Sequence, residues 1–131
     1  WITSATVAPA APEEVVTPSL DAQILKQLEE IMGREMTMRL AQNFIEYAPQ
    51  QLITLQQLAT NDEREGLRRK AHQFKGETSQ LGATRMSDIC KEIEILAPIG
   101  TTHAITACLA QLQTELTHVR EALTQVTHDD G

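Results

Sequence analysis

Aromatic residues are scarce in this chain: one Trp, one Tyr and two Phe make up 3% of its 131 residues. Sheet proteins draw heavily on aromatic and β-branched side chains, and strand-like runs of Val, Ile, Tyr and Phe are missing too. The core must then come from Leu, Ile, Ala and Met, a palette that suits helices. Basic residues are also in short supply, eleven Lys and Arg against eighteen Asp and Glu, for a formal net charge of −7. That balance argues against a nucleic-acid binder, which needs a broad cationic surface. No apolar run of roughly eighteen residues occurs, so no membrane-spanning helix is expected. No charged leader followed by an apolar stretch marks a signal peptide. Two cysteines do not make a disulfide framework. Cys90 and Cys108 both fall at apolar helical positions and are expected as buried free thiols, in keeping with a reducing compartment. A hydrolase is disfavoured as well, because no Gly-x-Ser-x-Gly occurs and no nucleophile–base–orienter set is apparent.

What is present is helical periodicity. Residues 1–18 carry Pro9, Pro12 and Pro18 and no apolar period, so they are expected to form a flexible linker. The chain begins at Trp1 rather than Met, which suggests attachment to something upstream. Residues 19–127 are read as one helical domain, and 128–131 as a polar tail expected to fray. Leu20, Ile24, Leu28 and Ile31 recur at helical spacing up to Gly33, a plausible stop. Met36, Leu40, Phe44, Tyr47, Leu52 and Leu55 mark a longer helix, with a kink expected at Pro49. Asp62 and Glu65 are placed as a capping box for the next helix. That helix carries Leu67, Ala71, Phe74, Thr78 and Leu81 and ends at Gly82. Two further stripes follow, Met86 to Ala97 and Ile105 to Val126. Short connections make neighbouring helices antiparallel, so the expected fold is all-α: an antiparallel four-helix bundle with a short additional N-terminal helix.

One histidine stands out. His72 lies among Arg68, Arg69, Lys70 and Lys75, and residues three, four and seven apart share a helix face. That face also carries Gly76 and Ser79. Glycine inside a helix costs roughly 1 kcal/mol relative to alanine. Either a neighbouring helix packs closely there, or a bulky group must approach the imidazole. Lys75, one turn from His72, is placed to meet an anion on the ring. A neutral imidazole nitrogen is a competent nucleophile, and a transferred phosphoryl group needs its charge balanced. The bland alternative is that these cations merely solvate an exposed face. Glu115 and His118 form one Glu-x-x-His pair, but carboxylate di-metal bundles need two such pairs, so no metal site is expected.

The strings "AHQFKGETSQLGA" and "SDICKEIEILA" resemble those of histidine-containing phosphotransfer domains. The family pattern falls here on His72, Lys75, Gly76, Ser79, Leu81, Gly82, Cys90, Ile93 and Glu94. Glu77 and Thr78 stand where the family commonly has small residues. The resemblance spans about residues 20–126. It implies a phosphorelay intermediate with no kinase activity of its own. His72 would accept a phosphoryl group from a receiver-domain aspartate and pass it to another, with Lys75 stabilising the phosphate. Gly76 and Ser79 would give clearance for docking, and Arg68 and Arg69 a basic edge for the partner. It further implies receiver domains of a hybrid kinase and of a response regulator as partners, and no cofactor on this domain, the Mg2+ sitting on the receiver. A cytoplasmic monomer, tethered to an inner-membrane sensor kinase, completes the expectation. The rival reading is a non-catalytic helical adaptor or scaffold.

Overall fold

A computed structural model describes residues 20–129, all but the first two residues and the short turns in helix. The expected linker, residues 1–18, lies outside the described residues. Five helices follow in order: α1 (Ala22–Met32), α2 (Arg34–Thr60), α3 (Arg64–Leu81), α4 (Thr84–Ile99) and α5 (Thr102–Asp129). Helix α3 packs along α4, α2 along α5, and the contacts of α4 with α5 and α2 with α3 close a four-helix bundle. The shorter α1 lies against α2 and touches α3. The expected architecture is the observed one. Helix α5 continues through Asp129, two residues into the stretch read as a tail. None of the described helices is long and apolar enough to cross a membrane.

The turns set how the helices meet. Asp21 caps α1 by accepting a hydrogen bond from the Gln23 N–H at 3.0 Å, a side-chain solution to an orphan donor at the helix start. The α3–α4 turn is a Schellman motif. The Gly82 N–H donates to Ser79 O at 3.1 Å and the Ala83 N–H to Thr78 O at 2.9 Å. Gly82 sits at φ +86°, and a Cβ there would lie 3.0 Å from Asp21 O and 3.2 Å from Ile24 Cβ. Glycine is required on both counts, left-handed backbone and close approach. The Asp21 N–H in turn donates to Gly82 O at 2.7 Å, fastening the start of α1 to this turn. At the opposite end of the bundle, the Arg64 guanidinium reaches from α3 to Ala97 O at 2.8 Å and Gly100 O at 2.9 Å. These carbonyls at the end of α4 would otherwise want donors.

Several expectations change at this level. Asp62 does not cap α3: it adopts φ 58°, and its carboxylate instead accepts from Arg64 Nε at 2.7 Å. Glu63 occupies the cap position without a side-chain bond. Helix α2 runs through Pro49 as one element. The apolar stripe on α2 is also displaced. Tyr47 and Met36 are exposed, whereas Thr37, Ala41, Phe44, Ala48, Leu52 and Leu55 are buried. The core took the small neighbour rather than the large residue, and Thr37 is tolerated because its hydroxyl donates to Gly33 O at 2.8 Å. On α1, Ile31 is 79% exposed and Leu25 is the buried residue. Phe44 and Phe74 stack at the centre with ring centroids 6.2 Å apart, a geometry worth about 1 kcal/mol beyond area burial.

Candidate functional site

Helix α3 buries Leu67, Ala71, Phe74, Thr78 and Leu81, and this stripe fixes the rotation of the whole helix. His72 is consequently turned outward, with 64% of its side chain exposed. It is freer than an edge position would be. The ring is held by α4: His72 Nδ1 lies 2.9 Å from Glu94 Oε2. The other oxygen, Oε1, lies 3.2 Å from Lys75 Nζ. One carboxylate therefore engages both cationic-capable side chains on the face of α3.

This arrangement decides the tautomer. A carboxylate accepts only, so a neutral imidazole facing it carries its proton on Nδ1 and leaves the Nε2 lone pair free. Glu94 can act in this way because it stays ionised. Desolvation alone would raise its pKa, but the hydrogen bonds from Lys75 and His72, and their charges, together hold it below the usual 4.5. Cys90 lies one turn before Glu94 on α4 and is buried. Burial, together with the charge of Glu77, pushes its thiol up to about 12 against the opposing effect of Lys75. It is a packing residue, not a nucleophile. Cys108 is likewise a buried free thiol.

Gly76 answers the question its sequence position raised. A Cβ there would meet nothing within 4 Å, so no neighbouring helix of the described chain demands the glycine. The face beside the imidazole is open. Ser79 is exposed and its hydroxyl pairs with that of Ser87 on α4, which draws the side chain aside towards α4. The basic edge is weaker than the charge count suggests. Arg68 makes two hydrogen bonds to Glu65, at 3.2 and 2.7 Å, and Arg69 Nε lies 3.4 Å from the same carboxylate. The Arg68 hydrogen bonds hold Glu65 below its usual pKa. The two arginines and Glu65 carry one net positive charge between them.

Sequence reasoning matched Glu94 to the family pattern but gave it no role. The signal was present: α3 and α4 are antiparallel partners joined by a short turn, which brings a carboxylate twelve residues past Gly82 back beside a histidine ten residues before it. On the α2 side, the Tyr47 hydroxyl donates to Glu77 Oε2 at 3.2 Å. Away from α3, His118 Nδ1 lies 3.5 Å from Glu115 Oε2, and Arg85 Nε lies 3.6 Å from it. Glu115 is thus a buried carboxylate neighbouring one histidine and one arginine. Among the described residues no group of three or more His, Cys, Asp or Glu converges to hold a metal ion.

The known-protein comparisons agree with this geometry. Residues 39–128 match the family described as Hpt domain. A comparison with curated protein sequences returned no significant match. Among solved structures, the chain is similar to histidine-containing phosphotransfer protein B (HptB) from Pseudomonas aeruginosa PAO1. The TM-score is 0.81 and the identity 29%, covering 87% of this chain and 98% of that one. With most of the chain matched and an outward histidine on the central helix of a helical bundle, the chain belongs to the Hpt-domain family, the histidine phosphotransfer intermediates of two-component phosphorelays.

Proposed function

We propose that His72 is the residue that carries the phosphoryl group, with Nε2 as the nucleophile. The observation that supports this most directly is the Glu94 carboxylate 2.9 Å from Nδ1, which in the neutral ring leaves the Nε2 lone pair free on a side chain that is 64% exposed. In the transfer, the Nε2 lone pair forms a bond to phosphorus as the P–O bond of a receiver aspartyl phosphate breaks. The aspartate leaves as a carboxylate. The ring keeps its Nδ1 proton and becomes a phosphorylated imidazolium, whose positive charge sits against Glu94. No proton has to leave in the forward step, and the reverse step hands the group to a second receiver by the same path. Electrostatic preorganisation of this kind acts where charge develops.

Lys75 is the phosphate-stabilising cation in this reading. An ammonium has three donors, so one can stay on Glu94 while another meets a phosphoryl oxygen. Gly76 leaves room for the receiver above the ring, and Arg68 and Arg69 orient an acidic receiver pocket. That pocket would supply the Mg2+. Receiver domains partner Hpt domains generally; a hybrid kinase as donor, a response regulator as acceptor and a cytoplasmic monomer are the finer form of the proposal. The Pro-containing leader, as a tether, would raise the local concentration of the domain near its donor.

The test is incubation with a phosphorylated receiver domain and Mg2+, beside His72→Gln. Label that is acid-labile, alkali-stable and absent from the variant is the expected result. Folded wild type that stays unlabelled with several receivers, while still binding them, would point to the adaptor instead.

A further inference from the structure

The open strip at Gly76 does not end there. Gln80 follows one turn later on the same face, and it lines a groove of about 500 Å3 between α2 and α3. Leu40, Phe44 and Leu81 supply its apolar surface, while Tyr47 and Glu77 cross it. The groove is therefore continuous with the surface that surrounds His72. Its charged residues are both acidic, Glu46 and Glu77, while Arg68 and Lys75 near His72 are each already paired with a carboxylate, Glu65 and Glu94. The uncompensated charge beside the imidazole on the groove side is therefore negative.

Glu77 is held in place. Tyr47 donates to its Oε2 at 3.2 Å, and Gln73, one turn earlier on α3, approaches the same oxygen at 3.5 Å. Its Oε1 is buried with no hydrogen-bond partner among the described residues. A carboxylate oxygen without a donor is costly, so Glu77 is a charge that the described chain leaves only partly satisfied, and a partner's cation at the groove would offset it. Resting on the relay reading above, we infer that the Tyr47–Glu77 pair is a specificity determinant. It selects receiver domains that lay an apolar helix face into the α2–α3 groove and present a Lys or Arg to Glu77. The receiver's acidic pocket meets His72 and Lys75 at the same time, so the two contacts together fix one orientation.

The experiment uses a receiver domain that phosphorylates the wild-type chain, with Glu77→Lys, Glu77→Gln and Tyr47→Phe. Two readouts are taken: receiver affinity by titration without phosphate, and transfer rate at saturating receiver. Glu77→Lys is expected to weaken affinity about tenfold through like-charge repulsion, while the saturated rate stays within about twofold, since Glu77 touches no reacting atom. Glu77→Gln and Tyr47→Phe should weaken it less. Changing the receiver's Lys and Arg residues one at a time to Glu should then find a position that restores affinity to Glu77→Lys and lowers it for wild type. Unchanged affinity in Glu77→Lys, a loss confined to the saturated rate, or the absence of any rescuing charge swap would overturn the assignment. Failure of wild type to be labelled would instead sink the relay reading, and the titration separates the two.

Discussion

Replacing Glu94 by Gln tests the site most sharply. The amide keeps the size and reach of the side chain but removes its charge and its exclusive acceptor character. Against Nδ1 it can present either oxygen or nitrogen, so the ring is no longer obliged to protonate there. A hydrogen bond to a charged group contributes about 1.5–3 kcal/mol when sheltered, and an exposed ion pair only about 0.2–1 kcal/mol. With His72 64% and Glu94 20% exposed, about 1 kcal/mol is the appropriate figure. Since 1.4 kcal/mol is tenfold, transfer from a phosphorylated receiver should slow about fivefold. Lys75 loses its ionic partner as well, so the loss should not be rescued by raising receiver concentration. Rapid-quench transfer kinetics measure the rate, and 15N chemical shifts of the imidazole report the tautomer. The wild type should show a predominantly Nδ1-protonated neutral ring and the variant a mixture. A folded Glu94→Gln protein with wild-type rate and unchanged 15N shifts would refute the reasoning.

Gly76→Ala should stabilise the fold by up to about 1 kcal/mol in urea denaturation, since the added methyl meets nothing within 4 Å, yet slow phosphotransfer because a receiver needs that space. Gly82→Ala should do the opposite to stability, costing about 2 kcal/mol from left-handed strain and the Asp21 and Ile24 contacts; an unchanged denaturation midpoint would contradict it. Cys90, with its thiol pushed up to about 12, should resist alkylation in the native protein near neutral pH and react only at the rate of unfolding, which mass spectrometry can follow. Finally, the pKa of Glu94 is lower folded than its ordinary 4.5, so its contribution is present above that value and disappears as pH falls through the depressed one. Subtracting the acid titration of Glu94→Gln stability from that of wild type should reveal the loss below about pH 4.5, and a difference that is flat there would count against the pairing.

Helix number, order and most boundaries were legible because apolar residues recur at three and four residue intervals from Leu20 to Val126, and because Gly33 and Gly82 end helices where their backbone requires it. Misreadings cluster where size and burial disagree. Met36 and Tyr47 look like core residues, but the helix rotation set by Ala41, Phe44 and Ala48 turns them outward. The candidate site was half legible. His72, Lys75 and Gly76 share one helix, so spacing alone groups them. Glu94 belongs to another helix, and its pairing with His72 depends on how α3 and α4 align around the Gly82 turn. Ion pairing also rewrote the charge picture: Arg68 and Arg69 read as two free cations in sequence, yet both lean on Glu65.

The joint between Asp21 and Gly82 bears on where this domain can be cut. The family match starts at residue 39, but the covalent unit that holds its shape begins earlier. Excision at residue 39 removes α1 entirely, strips the Gly82 carbonyl of its 2.7 Å donor and uncovers the surface under Leu25, which is buried in the intact chain. The turn so loosened is the hinge on which α4 carries Glu94 towards His72. A truncated chain would retain every motif residue and still let the carboxylate drift. For this protein the recognisable signature is shorter than the machine that makes it work, and the missing part is an anchor rather than a reagent.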